Sequence, residues 1–563
     1  SPRSQSFQYE TWNLQNLPGQ SAHPQVMQFI SPAALSQLIK NSSDEYAIID
    51  VREEGSFARD HLLLASNAPL SRLELIMPTL VPRRATQIIL CDDGDPHQKL
   101  SLRAIEALGR QHYVNLHILQ GGVTAWKEAG FELYSGVHVL SKAFGEYIEE
   151  KYKTPHVTAA KLAQALDSPN TNIMVVDSRP QEEFSRMSVP GAINIPGAEL
   201  IHRIQDLVPN SETLVVVNCA GRTRSIIGAQ SLINAGLSNP VVALENGTMG
   251  WHLSGLPLAS GEQTVLPDPK LESVKWACSA SQEVAQRISL KLVAWETVCV
   301  WNADETQQTL YLFDVRTPQE FHSGHLPGSS NAPGGQLVQA TDKFIGTHGA
   351  KIVLTCDNGT RAKMTASWLI QMGLTNVFVL RTSYEEHVLE RESNKPDAYH
   401  SSWDDPTRCI SVKTLASTMS KTRVTVLDFA NSREYKRGHI PGAWFAVRSD
   451  LDRCLVKIPE CDLLVLTSPS GKLAALSCEY LGDRVRQNVV FLDGGTKNWV
   501  GAGYSLTKGA ERMMSPENDV YRLPYDYDPA NVEKQMKAYL EWETGLLDRI
   551  KKDESVHFID LHD

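Results

Sequence analysis

Four short apolar runs end in an aspartate and pass into a polar stretch that starts a helix. They are Ile48-Ile49-Asp50-Val51-Arg52, Val175-Val176-Asp177-Ser178-Arg179, Leu312-Phe313-Asp314-Val315-Arg316 and Val426-Leu427-Asp428-Phe429-Ala430. The aspartates lie 127, 137 and 114 residues apart, so one unit of 110–140 residues occurs four times. A second apolar run in each unit ends at Cys91, Cys219, Cys356 and Ser468, at offsets of 41, 42, 42 and 40 from the aspartate. Helix-length stretches follow and close at Gly109, Gly236, Gly373 and Gly482. A third run leads to Gly121-Gly122 with Trp126, Asn246-Gly247 with Trp251, and Gly494-Gly495 with Trp499; the third unit has Arg381-Thr382-Ser383-Tyr384 instead. Short β-branched runs alternating with helical segments predict an α/β fold, a mostly parallel sheet flanked by helices in each unit. Ser31, Thr158, Ser289 and Ser411 precede the first strands, and each is expected to N-cap a helix there.

These patterns place domains at 26–136, 137–262, 263–395 and 396–510, with a tail at 511–563. Residues 137–156 read as a helical connection, 263–287 as a linker, and Glu385 to Pro406 as a polar separator. The tail changes composition at Tyr521-Arg522-Leu523-Pro524-Tyr525-Asp526-Tyr527 and turns helical from Asn531 to about Lys552. It is expected to be a structural arm packed on a domain.

At 563 residues, with 54 basic against 65 acidic side chains, the net charge is −11, which excludes a broad nucleic-acid-binding face. No apolar run approaches the length of a membrane span, and no secretory leader opens the chain. The start, Ser1-Pro2-Arg3, lacks Met and suggests a trimmed start or a tag remnant. The nine cysteines include no C-x-x-C pair, so neither a zinc ribbon nor a thioredoxin-type motif is expected; so few in so long a chain argue against a disulfide framework, and a reducing, cytoplasmic setting fits. The Asn-x-Ser/Thr triplets at Asn41, Asn246 and Asn358 are read as chance. No cofactor or metal motif is present.

The chemistry concentrates after the second apolar run of the second unit. There Cys219 is followed by Ala220, Gly221, Arg222, Thr223, Arg224 and Ser225, leading into a helix. The carboxyl end of a parallel strand next to a helix N-terminus is the usual ligand crevice of an open α/β sheet. Successive backbone amides there make an anion nest, the helix dipole adds positive potential, and two arginines add more. Such a field lowers a thiol's pKa to between about 3.5 and 7.5. Cys219 is therefore expected to be an ionised nucleophile, reachable from solvent, in an anion cradle formed by residues 220–225.

Asp177-Ser178-Arg179, Glu183-Phe184, Val189-Pro190-Gly191-Ala192-Ile193-Asn194-Ile195-Pro196, the Cys219–Arg224 loop, and Gly247 with Trp251 together resemble a rhodanese domain. Unit three is similar through Asp314-Val315-Arg316, Glu320-Phe321, Gly324-His325-Leu326-Pro327-Gly328 and Cys356-Asp357-Asn358-Gly359-Thr360-Arg361. Unit four keeps Glu434-Tyr435 and Gly438-His439-Ile440-Pro441-Gly442-Ala443; unit one keeps Phe57 besides its aspartate and closing motifs. The resemblance implies a sulfurtransferase, with Cys219 as persulfide carrier between a small anionic donor such as thiosulfate and a thiol or cyanide acceptor. A sulfur-acceptor protein is a further partner it suggests. Arg224, with Arg222, would clamp the donor's sulfonate oxygens. Phosphatases and arsenate reductases of this fold are disfavoured, because both Cys-to-Arg loops span five positions, one short of the phosphate-sized cradle. A sulfur-trafficking scaffold without turnover is the alternative of a different class.

The four copies are unequal. Cys356, with Gly359, Thr360 and Arg361, is a candidate second site weakened by Asp357, and a relay from Cys219 to Cys356 is conceivable. Around Cys91, the carboxylates of Asp92, Asp93 and Asp95 would repel an anion and raise the thiol pKa, and Pro96 removes an amide. Ser468 cannot carry a persulfide. Trp126, Trp251 and Trp499 are expected to fill core space. Asp177, Arg179, His325 and His439 are expected to hold loops, and Cys278 and the other cysteines to be packing residues.

Overall fold

The computed structural model describes residues 11–12, 27–97, 99–303, 308–381, 384–391, 407–482 and 484–560. Ser1-Pro2-Arg3, the boundaries set at 26, 395, 396 and 563, Thr382, Ser383 and most of the 385–406 separator lie outside these residues.

Each unit builds one sheet, parallel throughout in units two, three and four. In unit two the order is His156–Val157, Val241–Leu244, Leu214–Asn218, Ile173–Asp177, Ile193–Asn194. Units three and four repeat that order with Lys291–Val293, Val377–Leu380, Lys351–Thr355, Leu310–Asp314, Ser330–Asn331 and with Cys409–Ile410, Asn488–Leu492, Leu463–Thr467, Val424–Asp428, Trp444–Phe445. Unit one orders Met27–Ile30, Leu116–Leu119, Gln87–Cys91 and Tyr46–Asp50 in the same way. Its outer edge takes Ser66–Asn67 and also an antiparallel strand from unit three, Thr347–His348. The central strands are buried along nearly their whole length, as parallel strands covered on both faces must be.

The helices begin where their caps dictate. Ser31, Thr158 and Ser411 each accept a backbone N–H with the side-chain oxygen, a contribution of about 1 kcal/mol per helix. Unit three departs from the expectation. Ile288 ends the long linker helix Leu271–Arg287, Ser289 sits at φ +50, and the first strand begins at Lys291. The helix there starts at Trp295, so Ser289 caps nothing and the serine pattern was a coincidence of spacing. The connection read at 137–156 forms the helix Val139–Tyr152.

Unit two packs on unit three, and unit one on unit four as well as on unit three. Between units two and three, Arg224 donates to Gln336, Arg361 donates to Glu199, and Trp368 Nε1 donates to Ser231. Gly197 and Gly335 stand so close that a Cβ on Gly335 would lie 3.2 Å from Gly197 Cα. Between units one and four, Arg448 pairs with Glu74 at 2.7 Å and Ser449 donates to Glu53 at 2.7 Å. Among the described residues no helix is long and apolar enough to cross a membrane.

Candidate active site

Asn218 ends the central strand of unit two opposite Asp177. Its Nδ2 donates to Asp177 at 2.8 Å and to Thr248 at 3.1 Å. Arg179 grips the same carboxylate with two donors at 2.9 and 2.8 Å and reaches the Met187 carbonyl at 2.7 Å. All three side chains are buried, so removing either charge would strand the other at a cost of about 3–5 kcal/mol. Cys219 follows as the first residue past the strand. Its carbonyl accepts from Thr248 N at 2.8 Å and Thr248 Oγ1 at 3.0 Å. Gly247 closes the turn at φ +54, where a Cβ would stand 2.3 Å from that carbonyl oxygen, so only glycine fits. The Cys219 thiol donates to Ser225 Oγ at 3.5 Å, and Ser225 in turn donates to the Arg222 carbonyl at 2.7 Å. The helix Thr223–Asn234 starts at this loop, so its positive end faces the thiol.

The two loop arginines do different work. Arg222 turns away to the helix Val139–Tyr152, where Glu146 holds it at 2.6 and 2.8 Å and Glu149 also accepts from it; Nη1 reaches Asn246. Four of its five N–H donors are thereby engaged. Arg222 ties the loop to a helix and keeps one N–H unused. Arg224 is held by Glu183 at 2.9 and 2.8 Å and touches Gln336 at 3.3 Å. Those bonds use Nη1 and one hydrogen of Nη2, so Nε and the second Nη2 hydrogen remain unused. Against its own burial, Glu183 is held below the ordinary carboxylate range by Arg224.

Cys219 is only 2% exposed, against the expectation of a thiol open to solvent. The tail lies over this loop. Its helix, Val532–Ile550, lies against the loop: a Cβ on Gly221 would stand 3.0 Å from Glu543 Oε2 and 3.3 Å from the Tyr539 ring. Glu543 is fully buried and accepts from Thr223 Oγ1 at 2.8 Å and Lys142 at 3.3 Å. Tyr525, Tyr539, Met536 and Leu540 pack with Met249, two residues past Gly247. The arm thus covers the loop carrying the candidate nucleophile. Nothing in the tail's sequence announces a site; Glu183, by contrast, belongs to a quoted motif.

Unit three repeats the geometry with a different balance. Cys356 is 2% exposed and accepts from Ala362 N at 3.5 Å. Arg361 contacts three carboxylates, Glu199 and Glu320 at 2.8 Å and Asp357 at 2.7 Å. All its Nη hydrogens are used and its buried Nε has no partner. Burial first, and Asp357 next against the help of Arg361, push the Cys356 thiol up to about 11. Tyr384, the last residue of the altered closing motif, donates to Asp314 at 3.0 Å. Gly359 N-caps the loop helix at φ +76, and Thr360 Oγ1 contacts Cys278 Sγ at 3.5 Å. Cys278 therefore belongs to this loop's surroundings, a proximity its place on the linker helix hid.

In unit one, Asp50 pairs with Cys91 itself, whereas Asp177, Asp314 and Asp428 pair with Asn218, Thr355 and Thr467. Cys91 is thus the last strand residue. Asp92 occupies the loop position, its carbonyl accepting from Val123 N as that of Cys219 does from Thr248 N. Burial, then Asp50 and Asp92, push the Cys91 thiol well above its ordinary value. In unit four Ser468 Oγ accepts from Ala474 N at 3.4 Å. His325 and His439 stack on Phe321 and Tyr435 and bond those residues' carbonyls through Nδ1. Trp126, Trp251 and Trp499 are 5–7% exposed, each donating to a backbone carbonyl six residues on.

The Rhodanese-like domain family matches residues 31–129, 158–254, 299–390 and 411–502. A thiosulfate sulfurtransferase from Pseudomonas aeruginosa superposes with a TM-score of 0.87 at 40% identity, over 94% of this chain and 99% of that one. An HTH-type transcriptional regulator of Mycobacterium tuberculosis is 27% identical over 183 residues, 28% of this chain and 80% of that protein. With four matched segments spread over more than half its length and a full-length structural counterpart, the chain belongs to the rhodanese-like family and is a rhodanese-type transferase.

Proposed function

We propose that unit two moves a sulfane sulfur from thiosulfate, or a donor like it, to a thiophilic acceptor through a persulfide on Cys219. The Cys219 thiolate attacks the outer sulfur of thiosulfate. The new S–S bond forms as the donor's S–S bond breaks, and the electron pair leaves on sulfite. Cyanide or a thiolate then takes the terminal sulfur and returns Cys219 as thiolate. The donor's sulfonate is held by the two free N–H groups of Arg224, and the loop amides and helix end at Thr223 stabilise the persulfide anion. The observation that carries this reading is the arrangement at the Cys219 loop: a thiol at a helix N-terminus beside a guanidinium with unused donors. The likeness to the Pseudomonas aeruginosa enzyme supports the choice of donor.

The test is thiosulfate:cyanide turnover with mass analysis of the Cys219 peptide. Wild type should gain about 32 Da on that peptide after thiosulfate alone, the mass of one sulfur atom. Cys219→Ala should lose turnover by about a thousandfold or more, as removal of a covalent nucleophile does. Retained turnover in that variant would end the proposal. Absence of any added mass on wild type would leave the scaffold reading in its place.

A further inference from the structure

The tail beyond residue 510 lies outside every segment matched to the rhodanese-like family. It nevertheless brings a buried polar group to the Cys219 loop. Pro524–Asp526 form a single 3₁₀ turn. The turn is anchored to unit four, where Arg433 donates to the Tyr521 carbonyl at 2.8 Å and to Asp526 at 2.7 Å. The ring of Tyr525 packs in the cluster of Met249, Met536 and Leu540. Met249 N donates to the Ala220 carbonyl at 3.0 Å, so this cluster abuts the loop.

The hydroxyl of Tyr525 is buried and has no hydrogen-bond partner. That is anomalous within this protein. The buried hydroxyls of Tyr113, Tyr311, Tyr384 and Tyr435 all donate to a carbonyl or carboxylate. A buried phenol ordinarily finds a partner, because its transfer from water is unfavourable otherwise. The charged or ionisable groups acting on Tyr525 are Arg179, Cys219, Glu183 and Arg224, which are the groups of the active loop and its support. Burial, chiefly, pushes the phenol well above its ordinary range, so the oxygen keeps its proton and serves as a donor. Tyr525 thus brings an unsatisfied donor within electrostatic reach of a guanidinium with two unused N–H groups.

We propose that Tyr525 completes the unit-two site from the far end of the chain, its hydroxyl donating a hydrogen bond to a sulfonate oxygen of the bound donor alongside Arg224. Tyr525 acts on the donor and on departing sulfite, and has no part in the discharge of the persulfide to cyanide, which carries no sulfonate. The inference rests on the sulfur-transfer reading of unit two and adds the residue that recognises the donor's oxyanion end.

Tyr525→Phe in the full chain keeps the ring in its apolar cluster and removes only the hydroxyl. Three quantities are read: the thiosulfate concentration that half-saturates sulfur loading on Cys219, the rate at which preloaded protein discharges to cyanide, and the sulfite concentration that half-protects Cys219 from iodoacetamide. The variant should raise the first and third about tenfold, the effect of one lost hydrogen bond to an anion. The discharge rate should match wild type, a split that a merely structural role would not give. Unchanged half-saturation and unchanged sulfite protection would overturn the inference, as would loading and discharge falling together. If wild type itself takes up no sulfur, the transfer reading fails, while sulfite protection still decides the role of Tyr525.

Discussion

Units two and three are built alike around a loop cysteine and a loop arginine, yet they differ in how that arginine is spent. In each, the guanidinium pairs with the glutamate 41 positions upstream, Glu183 for Arg224 and Glu320 for Arg361. Each also reaches across the interface to the equivalent position of the other unit, which is Gln336 for Arg224 and Glu199 for Arg361. One side of this exchange is neutral and the other charged. Asp357 adds a further carboxylate on unit three only. Arg224 thus faces one carboxylate and keeps donors free, while Arg361 faces three and holds Glu320 down to about 2. The C-terminal arm deepens the contrast, since it lies on the unit-two loop.

The largest effect expected from such uncompensated charge lies in unit four. Asp177 and Asp314 are neutralised by Arg179 and Arg316, but the corresponding partner of Asp428 is Ala430. Asp428 is buried, one of its oxygens has no partner, and burial pushes its carboxyl up to about 7. The folded form therefore holds a proton that the unfolded chain releases near pH 4. Stability from this group is full below that point and is lost as the pH rises towards 7, by at most about 4 kcal/mol. Asp428→Asn should flatten that slope. Urea-dependent proteolysis of the full chain, with cleavages mapped within 407–510, should show the variant more resistant than wild type at pH 8 and equal at pH 4. Equal resistance at pH 8 would mean the charge is compensated.

Next in size is a transplant across the interface. Gln336→Glu gives Arg224 the second carboxylate that Arg361 already has. It should raise the half-saturating thiosulfate concentration about tenfold, the effect of weakening one charge-assisted contact, and leave kcat within about twofold. Were thiosulfate saturation unchanged, the difference between the two units would have to lie in Asp357 or in the tail.

Much of this was legible in the sequence. The recurring aspartate, the glycine turns and the Trp-bearing closure reflect local backbone and burial needs, and those have a fixed spacing signature. Offsets failed where one residue decides register. The 41-residue interval in unit one nearly equals the 42 of units two and three, yet it leaves Cys91 on the strand and puts Asp92 in the loop. They failed again at Ser289, where a polar residue past a helix end imitates a cap. The fate of Arg222 was beyond reach, because Glu146 and Glu149 lie more than 70 residues away. Tyr525 and Glu543 meet the loop only through tertiary packing over some 300 residues, for which neither periodicity nor motif gives a sign.

The smallest expected effect separates burial from charge within unit three. Asp357→Asn removes one of the influences raising the Cys356 thiol but leaves the leading one, burial, in place. The substitution also loosens one bond on Arg361, freeing an Nη2 hydrogen towards the loop. Both changes favour the thiolate, so the pKa should fall from about 11, by less than about one unit, since burial still opposes the charged form. At pH 8 the fraction of thiolate, and hence the iodoacetamide rate at Cys356 followed by peptide mass, should rise severalfold and no more. A rate equal to that of Cys219 would make Asp357 the sole cause of the difference between the two loops. No change would mean that burial alone sets the Cys356 thiol, leaving the extra carboxylate as a structural tie for Arg361.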